Sequence, residues 1–233
     1  PQVTPEKGVD IYESDYTQGP ACAIACGAGT IYRNYFVPVN KLQGQSIYNQ
    51  IDCLELIGTK LKNDELHLWK MSNGYALLNQ DGLLNINSQL SKLSHKEREE
   101  LKGNLKIGIQ WNTEVTLSDS KHTVSQAYCS ALPIAYLHIE SIFWEGFARI
   151  ILEATYEATL NAALINLENT GCNKVYLTLV GGGAFGNELD WILESLSKVI
   201  KKFKKSPLDV GIVSYGNSKQ EVRELINGID KEN

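Results

Sequence analysis

The chain has 233 residues, 43% of them hydrophobic, enough to build a real core for one large domain or two small ones. Its 27 acidic and 22 basic residues give a net charge of -5 spread without blocks, which excludes a broad nucleic-acid footprint built from clustered Lys and Arg. A small anionic ligand stays open, because backbone amides and helix ends hold phosphate without any basic patch.

Five cysteines (Cys22, Cys26, Cys53, Cys129, Cys172) are an odd number in a chain too large to depend on disulfide staples. They point to a reducing, cytoplasmic setting. Cys22 and Cys26 lack a second Cys/His pair at zinc-ligand spacing, so they read as structural thiols, and no metal or redox cofactor is expected. The opening PQVTPEKGVD has neither the basic nor the apolar part of a secretory leader. The apolar stretch 128–167 carries Glu140, Glu145, Arg149, Glu153 and Glu157, which makes it a buried helix and not a membrane span.

In chain order, ACAIACGAG (21–29) reads as a buried strand running into a glycine loop. From Ser46, the residues Ile47, Ile51, Leu54, Ile57 and Leu61 recur at helical spacing, with Gln50, Asp52 and Glu55 at the polar edge. A second helix is expected over Asp81–Leu93, and Ser94 with Glu97 predicts a capping box on a short charged helix ending before Gly103. LKIGIQWNTEVTL alternates as a strand with Leu105, Ile107, Ile109 and Trp111 inward, and AYCSALPIAY adds a strand ending at Pro133. A long Ala-rich helix over 139–168 is central, with Trp144 in the core. Then come a strand (174–180), an amphipathic helix (187–203), a strand (208–216) and a final helix capped by Ser218 and Glu221. Alternating strands and helices predict one α/β domain over 1–233, with 41–104 as a helical insertion.

In VYLTLV-GGGAFG-NELDWI, a strand passes through glycines directly into a helix. Glycines admit positive φ and close approach of a ligand, and amides at a helix start point outward with the positive end of the dipole. Phe185 is free to stack on a ligand ring; the alternative is a tight turn with Asn187 as N-cap and Phe185 tucked inward. The Lys and Ser/Thr of a Walker loop are absent, and no early dinucleotide fingerprint is present. CGAGTIYRNYF (26–36) supplies a second glycine loop, with Arg33 either adding charge to an extended ligand such as a pyrophosphate or serving as a structural ion-pair partner.

These residues resemble macrodomains, the ADP-ribose-binding family with a three-layer α/β/α mixed sheet. Gly181, Gly183, Phe185 and Gly186 match the family's second phosphate loop, so the resemblance implies ADP-ribose contacts from Gly181, Gly182, Gly183, Ala184, Phe185 and Gly186. VDIYESDYTQGPACAIACGAG is similar to the family's opening strand and first loop, implying Gly27 and Gly29 on the phosphates. Asp10 would be the adenine-side acid, with Asp15 the competing assignment. The likeness is clear over about residues 8–36 and 174–216. The asparagine that hydrolytic macrodomains carry after the first strand is replaced by Cys26, Gly27, Ala28 and Gly29. NQID offers Gln50 and Asp52 where poly(ADP-ribose) glycohydrolases carry Gln-Glu-Glu, at a longer gap.

QGPACAIACGAGTIYRNYF, IQWNTEV, AYCSALPIAY and GGGAFGN together look most like the divergent MavL-like group, which implies removal of ADP-ribose from arginine of modified proteins, ubiquitin among them. The candidate catalytic residues are Glu114 and Asp119 in WNTEVTLSDS, Asn112 in place of an acid, and Asp52. Cleaving this N-glycosidic bond passes through oxocarbenium character, which carboxylates serve by activating water and pairing the guanidinium. The competing expectation is a non-catalytic ADP-ribose reader. Glu114 is equally an exposed strand residue, and Asp119 an ordinary turn residue.

Overall fold

A computed structural model describes residues 4–15, 17–117, 119–214 and 216–231. Tyr215, in the predicted strand 208–216, Ser118, between Glu114 and Asp119, and the first three residues of the opening stretch lie outside the described residues. The elements in chain order are α1 (Gln18–Ala25), α2 (Gly27–Ile31), a π-helical turn (Tyr32–Phe36), β1 (Pro38–Val39), β2 (Leu42–Gln43), α3 (Glu55–Leu61), β3 (Trp69–Ser72), β4 (Tyr75–Leu78), α4 (Gln80–Lys92), α5 (His95–Lys102), β5 (Gly108–Glu114), β6 (Thr123–Tyr128), α6 (Ser141–Thr170), β7 (Lys174–Thr178), α7 (Leu189–Lys202), β8 (Asp209–Val213) and α8 (Gln220–Lys231).

With 51% helix and 17% strand the chain is mixed α/β. Strands pair only two by two among the described residues. No helix among them is long and apolar enough to cross a membrane. The residues form two compact units, one from the chain up to Asp52 with Met71–Tyr75 and Gly108–Tyr128, the other from Cys53–Lys70, Ala76–Ile107 and the chain from Cys129 onward. The predicted insertion 41–104 is thereby divided between them.

In the first unit, the expected strand and glycine loop over 21–29 are helix. Residues 18–25 form α1, and Gly27 and Gly29 lie inside α2. Alanine is the strongest helix former, and Pro20 sits in the first turn, where its missing amide costs nothing. Cys26, at φ -130 and ψ 62, breaks the helix in two. Thr116 takes up the break: its hydroxyl donates to the Ile24 carbonyl at 3.1 Å and accepts from the Gly27 amide at 3.4 Å, while its own amide donates to Ala25 at 2.8 Å. A side chain at Gly29 would meet Gln110 Cγ at 2.8 Å, so this glycine lets α2 lie close on β5.

β5 and β6 pair antiparallel from Gly108↔Tyr128 to Glu114↔Thr123, with a bulge between Gln110 and Thr113. Asn112 sits there at φ 49. With the extra residue, Gln110 and Thr113 share the face that lies on α2 at Gly29. Trp111, expected in the core, is 40% exposed, while Thr113 is buried. Residues 46–54 are also not the helix expected; only Glu55–Leu61 is.

The second unit packs α4, α5 and α7 against α6. Trp144, Phe147, Ile151, Leu152, Tyr156 and Leu160 of α6 are buried with Leu83, Ile86, Ile192 and Leu196. Ser94 and Glu97 form the expected capping box on α5, and Asn79 caps α4 through the Gly82 amide. The strand expected to end at Pro133 ends at Tyr128 with β6, and a 3-10 turn follows at Ile134–Tyr136. Ser218 does not cap α8; its hydroxyl donates to the Lys219 carbonyl. β7 and β8 run parallel, Lys174↔Asp209 to Thr178↔Val213, joined through α7.

Candidate ligand-binding loop

The loop between β7 and α7 is tied at both ends and open in its middle. Tyr156, buried on α6, donates its hydroxyl to the Thr178 carbonyl at 2.9 Å and accepts from the Val180 amide at 3.1 Å. Burial raises its phenol pKa, keeping it a donor. The Gly182 amide then turns back to Leu179, Gly186 to Gly183 and Asn187 to Gly181.

Asn187 is not the N-cap of α7. That position is Glu188, which makes no side-chain cap bond. Asn187 faces inward, donating to the Leu132 carbonyl at 2.9 Å and reaching Gly181 O at 3.5 Å. Its Oδ1 is buried with no partner among the described residues.

The glycines serve different ends. Gly181 at φ +83 would drive a side chain to 2.4 Å from Ala131 Cβ, and Gly186 at φ +68 would reach 2.9 Å from Ala135 Cβ, so turn geometry and packing demand both. Gly183 has ordinary φ and nothing within 4 Å. Packing does not explain it. The amides of Gly183 and Ala184 donate to no acceptor among the described residues, and both residues are exposed. Glu188 and Asp190 stand at the start of α7, so an anion here is served by the loop amides and not by the helix end.

Phe185 is half-buried, edge-on to Tyr136 with ring centroids 5.4 Å apart and planes at 83°. Its carbonyl accepts from the Ala135 amide. Tyr136, from outside the motif, packs on one side of this ring. Tyr156 and Tyr136 are the residues sequence reasoning missed, because both come from distant segments and carry no local signal. Tyr156→Phe is expected to lower stability by about 1 kcal/mol, read by thermal or urea unfolding, because the Thr178 carbonyl and Val180 amide lose their bonds to the hydroxyl and keep the one to each other at 2.9 Å.

The remaining candidates belong to the first unit. Asp10 is exposed in a 3-10 turn, and Asp15 accepts from the Thr17 hydroxyl and amide, bonds that lower its pKa. Gly27 and Gly29 lie within α2 beside Thr116 and Thr113, not in an open loop. Asn112 and Glu114 are exposed on β5, Asp119 is exposed at φ 50, and Asp52 is half-buried outside any helix. β5 and its following loop bring Gln110, Thr113 and Thr116 alongside α2, with Asn112 and Glu114 exposed on the same strand, while Gly181–Gly186 belong to the second unit. Comparison with family models, curated proteins and solved structures gives no match.

Proposed function

We propose that the chain binds the pyrophosphate of ADP-ribose through Gly181–Gly186 and removes ADP-ribose from arginine side chains of modified proteins, ubiquitin included. What carries the binding part is the pair of outward amides at Gly183 and Ala184, in a loop whose flanks are fixed by Tyr156, Asn187 and Tyr136. The parallel β7–α7–β8 unit, with that loop at the carboxyl end of β7, is the part of a macrodomain-like α/β/α arrangement that supports this reading.

In the proposed reaction water attacks the anomeric carbon as the carbon–nitrogen bond breaks and the guanidine leaves with a proton. Glu114 would activate water or pair the guanidinium, with Asn112, Asp119 and Asp52 as the other residues of the first unit assigned to it. The reaction would need no metal or redox cofactor, and would take place in a cytosol, the cell's own or a host's.

Incubation with arginine-, serine- and glutamate-linked ADP-ribosyl proteins, with release followed by mass spectrometry, tests it. Release from arginine alone is expected, and Glu114→Gln is expected to keep ADP-ribose affinity and lose at least about tenfold in turnover. Release by Glu114→Gln at the native rate removes that residue from the mechanism. A non-catalytic reader is the second reading, favoured because Cys26, Gly27, Ala28 and Gly29 include no asparagine and the three residues after Cys26 lie inside α2; binding without release from any linkage would select it.

A further inference from the structure

Arg33 is a guanidinium without a counter-charge among the described residues. It lies in the π-helical turn Tyr32–Phe36, closed by the Val37 amide bonding five residues back to Tyr32, and it is half-buried. Among the described residues, no carboxylate lies within ion-pair distance of it. This overturns the structural ion-pair role that the sequence left open. The first unit has acids to spare, yet they are engaged elsewhere or unused: Glu6 accepts from the Ile47 amide and Asp15 from Thr17.

The side chain is nevertheless fixed. Its guanidinium carbon lies 4.6 Å from the centroid of the Tyr128 ring. Nε donates to Asn34 Oδ1 and Nη2 to the Tyr12 hydroxyl, each at 3.3 Å. Asn34 is buried, and Gln45 Nε2 donates to the Arg33 carbonyl at 2.9 Å, holding the backbone. Tyr128 is itself pinned, its hydroxyl donating to Gln126 Oε1 at 2.8 Å while Gln126 Nε2 donates to the Cys22 carbonyl at 3.0 Å.

Holding a charged group partly out of water without an ionic partner costs free energy, and one cation–π contact returns only part of it. A guanidinium has five N–H donors in a planar fork, and only Nε and one on Nη2 meet an acceptor among the described residues. The Tyr12 hydroxyl accepts from Arg33, so its own proton turns away from the guanidinium and becomes a further donor beside it. A fork plus a hydroxyl supplies donors to three oxygens of one tetrahedral anion, more than a carboxylate offers.

We propose that Arg33, with Tyr12 and over Tyr128, is a phosphate-binding site of the first unit, taking inorganic phosphate or the terminal phosphate of a small phosphate ester. The inference stands on Arg33's own surroundings and does not rest on the Gly181–Gly186 reading.

The test titrates inorganic phosphate, and separately acetate, into the full chain carrying Gly183→Val, so that the glycine loop contributes nothing, with binding followed by calorimetry and NMR. Saturable phosphate binding is expected, with acetate at least about tenfold weaker. Added Arg33→Gln should weaken phosphate at least about tenfold, Arg33→Lys by several-fold because it keeps charge and loses the fork, and Tyr12→Phe by about threefold. If Arg33→Gln does not fold, the Lys and Tyr12→Phe variants decide. Phosphate binding unchanged by these variants, or no saturable binding at all, overturns the site; acetate binding as well as phosphate overturns the phosphate assignment. ADP-ribose titrated into the unsubstituted chain reports on the glycine loop separately, so either reading can fail alone.

Discussion

Replacing Gly183 with valine is expected to weaken ADP-ribose binding by at least about a hundredfold, about 2.7 kcal/mol, while leaving the melting temperature within about 2 °C. The fold tolerates the change because nothing lies within 4 Å of where the side chain begins and φ there is ordinary. The ligand does not, because two γ-methyls would stand over the amides of Gly183 and Ala184. The paired control is Gly181→Ala, whose methyl would fall 2.4 Å from Ala131 Cβ at φ +83. It is expected to cost about 2–4 kcal/mol of stability through strain and overpacking. Calorimetry and thermal unfolding on the two variants together separate a loop kept for a ligand from one kept for its turn. Gly183→Val with native affinity would end the phosphate-loop reading.

Lys102→Met should cost about 3–5 kcal/mol, the largest stability effect expected from a single side chain outside the apolar core. The Lys102 side chain is 2% exposed, and its ammonium lies 2.6 Å from Glu99, 3.0 Å from Glu153 and 2.6 Å from Glu157. The three carboxylates offer oxygens within 4.8 Å of one another, spacing that suits a cation, and the ammonium is that cation. Lys198 bridges Glu153 and Lys202 bridges Glu99 and Glu157 from the solvent side, so α5, α6 and α7 share one charge network.

The pH dependence separates this from simple loss of packing. Burial alone would raise the Glu99 carboxyl, but hydrogen bonds from Lys102 and Lys202 outweigh it and bring the pKa from 4.5 down to about 2. A depressed folded-state pKa contributes stability that is full above about pH 4.5 and fades toward pH 2. The native chain should therefore lose stability through that window. In Lys102→Met three carboxylates face two ammoniums, so protonation relieves repulsion and stability should rise on mild acidification. Melting curves from pH 7 to 3 that fall in parallel for both proteins would refute the network account.

Where side chains declare a period or a cap, the sequence is legible. The helices expected over Asp81–Leu93, 139–168 and 187–203 and the Ser94–Glu97 box correspond to α4 to α7, and β7 and β8 stand out as short apolar runs among them. The failures have physical causes. ACAIACGAG is built of small residues that carry no period, and alanine's helix preference prevailed over the strand pattern. Over 46–54 the apolar spacing is helical, yet the Ser46 and Asn49 backbones bond each other and the Ile47 amide goes to the Glu6 carboxylate, so other partners take the backbone groups a helix would use. Trp111 is exposed because β5 lies on α2 through Gln110 and Thr113, and an alternating run does not say which of its faces is covered. At the candidate site the glycines were legible, whereas Tyr156 and Tyr136, which brace them, come from α6 and a separate turn.

The order in which the chain contributes to its two units limits how the protein can be taken apart. The first unit draws on three stretches, and the second begins at Cys53, pauses twice and resumes at Cys129. No single cleavage releases either as a whole piece: a fragment starting at Cys129 keeps the glycine loop with Tyr156 and Tyr136 but loses α4 and α5, which cover α6. Work on an isolated half therefore calls for circular permutation or spliced segments in place of truncation, and for the same reason a protease nick in one linker leaves both halves threaded together.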